Sequence, residues 1–198
     1  MQKQIGRVEA IIKEIQSFDF VRWPPAKYGR LFGRRTIGEV LREKTANYMN
    51  PCLELTSSAV VLLAEQGFKP TFVIEEKIGE HTNKPVLHFA IEISIDGKIH
   101  TIDFSQRRNV LFYQGKYNLD KSSKREIHLG LKRIKASGFT RAQSPLSFFG
   151  VTNIKKIGRT FRHFKYPHLR AVFEAMHRAD SQFLFDKVRK SKRRIRRG

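Results

Sequence analysis

The sequence predicts an α+β protein with a basic, mainly helical C-terminal extension. Three observations carry this. Apolar residues recur with a period near 3.6 up to Gly67 and with a period of 2 from Pro70 to about Tyr113. The dipeptide Asp96-Gly97 stands between two alternating runs, which is a hairpin signal. Positive charge is concentrated after residue 120.

The elements follow in order. Ile5, Val8, Ile12 and Ile15 lie at helical spacing, so residues 2–17 read as an amphipathic helix. In FDFVRWPPAKYGRLFGRR, the Pro24-Pro25 pair, Gly29 and Gly33 break regular structure, and a loop with aromatic anchors is expected. Thr36 caps a helix expected to run to about Tyr48, with Glu39 at the capping-box position. Asn50-Pro51 punctuates the chain, and CLELTSSAVVLLAEQG begins a new helix. Leu55, Ala59, Leu62 and Leu63 form its apolar stripe, and Gly67 suits the position just past its end. Residues 70–76 and 86–95 read as strands, KIHTIDF as the returning arm of the hairpin, and 109–113 as a further strand. Ser123 to Glu126 form a capping box before Ile127, Leu131 and Ile134, so a helix ending at Gly138 is expected there. Residues 139–166 give no assignment. Pro167 opens a last expected helix, with Leu169, Val172, Phe173 and Met176 on one face. The division expected is an α+β domain at 1–118 and a basic helical extension at 119–198.

Composition narrows the function. With 198 residues, 40% hydrophobic and 29% charged, the chain can bury a core. Its one cysteine rules out an intramolecular disulfide and a Cys-based zinc site. The seven histidines include no pair at metal-ligand helical spacing, so neither a metal nor a cofactor is expected. The first residues, MQKQIGRVEAIIKEI, lack the apolar run of a secretory signal. No 18-residue apolar run exists, and a cytoplasmic location is the expectation. Residues 121–198 hold 22 basic and four acidic residues, a net of +18. The first 120 hold 17 basic and 14 acidic residues, a net of +3. A polyanion such as nucleic acid is the expected partner of the basic part. Lys187, Arg189, Lys190, Lys192, Arg193, Arg194, Arg196 and Arg197 form its densest cluster. That cluster suits contact with phosphates rather than reading of bases. Phe148, Phe149, Phe161, Phe164 and Tyr166 lie among the cations, either as a small helical core or as platforms for unpaired bases.

The candidate chemistry starts from Cys52 at the start of a helix. N–H groups and peptide dipoles at that end favour a thiolate, although a lone cysteine is more often a small buried hydrophobe. A two-residue Asp96-Gly97 turn sets Ile91 opposite Ile102 and Phe89 opposite Phe104, forming one dry face. His88 and Asp103 then share the other face as diagonal neighbours, about 7–8 Å apart at the backbone. An aspartate there fixes the histidine tautomer and stabilises its imidazolium, as a nucleophilic triad requires. A register slip of one residue would part them. His100 falls on the dry face, and Glu92 on the His88 face, where it either orients substrate or is simply solvated.

The runs NPCLELTSSAVVLLAEQGFKPTFVI and HFAIEISIDGKIHTIDF resemble the core of the transglutaminase-like superfamily of papain-type cysteine enzymes. That pattern has a Cys opening a helix, a His opening a strand and an Asp near the end of the next. Here these are Cys52, His88 and Asp103, separated by 36 and 15 residues. The resemblance covers roughly residues 36–105. It implies a nucleophile helix packed on an antiparallel sheet, and hydrolysis or acyl transfer at protein or peptide amides through a thioester. Trimming of leader peptides is one variant of that chemistry. Pro51 and Leu53 depart from the small or aromatic residue usual beside the nucleophile. Trp23, Tyr28, Tyr48, Asn50 and the Cys52 backbone N–H are candidate oxyanion donors. The competing class is a nucleic-acid-binding or ribonucleoprotein-associated protein in which the triad is a relic or secondary.

Overall fold

The N-terminal apolar stripe forms α1, Gln2–Gln16, and buries Val8, Ile11, Ile12 and Ile15. A computed structural model describes residues 2–22, 34–47, 51–78, 85–104, 110–118 and 127–145. Within the stretch read as a loop, Asp19–Val21 is a short strand, β1. Thr36 caps α2, Ile37–Glu43, through a complete capping box. Glu39 N–H donates to Thr36 Oγ1 at 3.2 Å and Thr36 N–H to Glu39 Oε2 at 2.7 Å.

This helix stops at Glu43 instead of reaching Tyr48. Lys44 takes a left-handed conformation, φ 48°, and Thr45–Asn47 becomes β2, parallel to β1. Two buried side chains explain the stop. Arg35 donates to the Thr45 carbonyl at 2.8 Å, and Glu54 accepts from the Asn47 N–H at 2.8 Å. These are backbone groups that a continuing helix would have needed for itself.

The next helix, α3, spans Pro51–Glu65. Pro51 is its first residue, where a missing N–H leaves no bond unmade. At its end, Gly67 N–H bonds to Ala64 O at 2.9 Å and Phe68 N–H to Leu63 O at 3.0 Å, a Schellman closure. All residues from Leu53 to Leu63 are buried, beyond the single stripe expected. The helix packs against α1 and α2 and against the sheet, so every side meets protein.

Five antiparallel strands follow: β3 Thr71–Ile78, β4 Pro85–Ile95, β5 Lys98–Asp103, β6 Leu111–Gln114 and β7 Ile127–Lys135. Their spatial order is β6-β5-β4-β3-β7. Asp96 and Gly97 have φ of 48° and 78°, the paired positive angles of a type I′ turn, and glycine meets the second at no steric cost. The resulting register sets Ile91 opposite Ile102 and Ala90 opposite Asp103, as the two-residue turn predicts. Phe72, Ile74, Phe89, Ile91, Ile93, Ile95 and Ile102 join the helices in the main core. On the other face, Val73, Ala90 and Tyr117 form a second buried cluster with Leu131 packed against it.

The helix expected from Ile127 to Gly138 is instead β7. Leu131 and Ile134, which with Ile127 suggest one helical face, fall on opposite faces of the sheet. Ile134 lies opposite Phe72 on the core side and Leu131 opposite Glu75 on the other. The free edge of β3 supplies hydrogen bonds that outweigh the local pattern. The sheet thus includes residues beyond 118, in the stretch read as a helical extension. The last expected helix, from Pro167, lies outside the described residues.

Candidate active site

Cys52 is the second residue of α3 and is half-buried. Its backbone N–H belongs to the first helical turn, whose N–H groups have no intrahelical acceptor. Glu54, one residue past its neighbour, ties this end of α3 in place. Its carboxylate takes Arg35 at 3.0 and 3.4 Å and the Asn47 N–H at 2.8 Å, with both charged groups buried. Arg35 also reaches Glu43 at 2.7 Å and Thr45 Oγ1 at 2.9 Å. Burial raises the Glu54 carboxyl above its usual range, and the Arg35 charge and the hydrogen bonds counter this only in part.

His88 and Asp103 meet as the hairpin register requires. Nε2 of His88 lies 2.9 Å from Oδ1 of Asp103, and the residues are 8% and 7% exposed, so little water competes for the bond. The carboxylate accepts from Nε2–H, which leaves Nδ1 as the nitrogen available to Cys52. Burial opposes charge on the ring. The hydrogen bonds to Asp103 and Cys52, and the charges of both, outweigh it and raise the His88 pKa to about 10. The ring thus favours its protonated form, with the Asp103 carboxylate and the Cys52 sulfur as its hydrogen-bond partners. The three residues singled out in the sequence come together.

His100 stays apart. It is buried on the core face, with its ring centroid 5.7 Å from that of Phe112 and Nδ1 3.1 Å from the Lys98 carbonyl. Glu92 is buried rather than solvated. Arg133 holds it with two bonds of 2.8 and 2.7 Å, and the Tyr117 N–H donates to it at 2.8 Å. Burial would raise its pKa, but the bonds from Arg133 and Tyr117 and the Arg133 charge lower it.

Two neighbours escape the sequence reading. Glu75 pairs directly across from His88 in β3 and is 1% exposed. Tyr117 O–H donates to Glu75 Oε2 at 2.6 Å, and the Tyr117 ring centroid lies 6.1 Å from that of His88. Pairing PTFVIEE against VLHFAIE could have placed Glu75, but Tyr117 lies outside every strand and carries no periodic signal.

Among the described residues, no group of three or more His, Cys, Asp or Glu gathers as a metal site. Nor is any described helix long and apolar enough to cross a membrane. The oxyanion candidates Trp23, Tyr28, Tyr48 and Asn50 lie outside the described residues, as does the basic cluster from Lys187 to Arg197. The chain matches no family model, no curated protein and no solved structure.

Proposed function

We propose that the chain is a cytoplasmic cysteine hydrolase or acyltransferase acting on protein or peptide amide bonds, built on a papain/transglutaminase-like core. The observation that carries this reading is the 2.9 Å His88–Asp103 bond, with Cys52 hydrogen-bonded to the same ring. The Cys52 thiolate attacks the amide carbonyl carbon and forms a C–S bond. The carbonyl oxygen takes up negative charge near the Cys52 N–H at the start of α3. His88 gives its proton to the leaving amine as the C–N bond breaks, and a thioester remains. Neutral His88 then takes a proton from water or an acceptor amine, whose attack releases the acyl group and restores the thiolate. Asp103 holds the ring in the tautomer that both steps need.

A second reading rests on the charge division. A net of +18 over residues 121–198 favours a nucleic-acid partner for that part of the chain, in which case the triad is secondary. Labelling with a thiol-directed acyl probe separates the two. The wild-type chain is expected to label and turn over, and Cys52→Ala to do neither. Asp103→Asn, folded by circular dichroism, is expected to lose about 10²–10⁴ in turnover. No labelling of wild type, or a loss below about tenfold in Asp103→Asn, would contradict the enzyme reading.

A further inference from the structure

The chain leaves β6 at Gly115 and crosses back over the second face of the sheet. Gly115 has φ of 136°, a region that residues with a Cβ rarely adopt, so glycine permits the turn. The crossing segment is fastened to four strands. Gly115 N–H bonds to Ile99 O at 2.8 Å, and Thr101 Oγ1 donates to Gly115 O at 2.8 Å. Tyr117 N–H donates to Glu92 at 2.8 Å, and Arg133 donates to Tyr117 O at 3.2 Å. The phenol O–H closes the set on Glu75 of β3 at 2.6 Å. Tyr117 is left 6% exposed, packed with Val73 and Ala90 beside His88.

We infer that Tyr117 is a positioning residue for the His88–Asp103 pair. Its ring walls the pair off from water, and its fastenings fix where that wall stands. This rests on the thiol-enzyme reading for its use but not for its geometry. A histidine–carboxylate bond gains strength as water is excluded from it. The ring at 6.1 Å supplies that exclusion on the sheet's second face. The charged and titratable groups on this face are His88 and Glu92 on β4, Asp103 on β5, Glu75 and Lys77 on β3, Tyr113 on β6 and Arg133 on β7.

The full chain can be tested by two readouts together: solvent exchange of the His88 Nε2 proton, seen by NMR, and iodoacetamide alkylation of Cys52. In Tyr117→Ala, exchange is expected to quicken and alkylation to slow, each by about tenfold or more. Tyr117→Phe keeps the ring and is expected to restore both to within about threefold of wild type. If the alanine variant does not fold, Tyr117→Leu fills the apolar site without a flat ring and is expected to show the same two changes. Unchanged exchange in a folded alanine or leucine variant would overturn the wall, whatever the thiol does. Faster exchange with unchanged alkylation would uphold the wall and contradict instead the coupling of His88 to Cys52.

Discussion

At the scale of single residues, the hairpin made the candidate triad legible. Asp96 and Gly97 accept the positive φ angles of a type I′ turn, and that turn leaves one register for β4 and β5. His88 and Asp103 then have to share a face. The buried status of Glu92 and the role of Tyr117 were not legible, because both depend on Arg133 and Glu75, contributed by strands distant in sequence. The raised pKa of His88 has a consequence for stability. The folded state holds the ring proton more tightly than an unfolded chain, whose histidine titrates near 6.5. This contribution is full below pH 6.5 and is lost as pH climbs toward about 10. In a Cys52→Ala background, where no thiol proton is exchanged against that of the ring, the chain is expected to lose stability as pH rises above about 6.5 relative to the same chain carrying His88→Gln, by at most about 1.4 kcal/mol per pH unit. Urea denaturation of both proteins at several pH values measures it. Parallel curves would show that the ring is not held as a cation.

At the scale of elements, α3 and the hairpin were read correctly because their signals are local: Pro51 at the start, Gly67 at the end, and alternation on either side of a two-residue turn. The end of α2 and the identity of β7 were missed because distant partners decide them. Arg35 and Glu54 take up the backbone beyond Glu43, and the edge of β3 captures Ile127–Lys135. The Arg35–Glu54 pair joins α2, β2 and the Cys52 end of α3. Breaking one side of a buried ion pair leaves the other charge buried and poorly matched. Glu54→Ala is therefore expected to cost about 3–5 kcal/mol of stability. A loss below about 1 kcal/mol in urea denaturation would show that Glu43 and Thr45 suffice to hold Arg35.

At the scale of the whole molecule, charge divides the chain more sharply than the fold does. The sheet runs through residue 135, while the surplus of Lys and Arg begins at 121. Arg133 shows that some of this surplus is structural, since its guanidinium is taken up by Glu92. The cluster from Lys187 to Arg197 has no acidic residue nearby in sequence beyond Asp186. Removing residues 187–198 deletes eight Lys and Arg. For every cation that had touched a phosphate, the salt dependence of nucleic-acid affinity should fall by about 0.7–0.9 logarithmic units. A drop of several units, measured over about 50–300 mM salt, is expected if most of the eight touch phosphates. An unchanged slope would make the cluster a solvated surface. Absence of binding even at low salt would turn the search to an acidic protein or peptide.

The central claim is that Cys52 and His88 act as one chemical unit. Its most direct measurement is the rate of iodoacetamide alkylation at about pH 6, where a free cysteine with a pKa near 8.5 is almost wholly protonated and slow. Wild-type Cys52 is predicted to react far faster than free cysteine, His88→Ala to lose that advantage, and His100→Ala to keep it. Equally slow alkylation of wild type and His88→Ala would contradict the account.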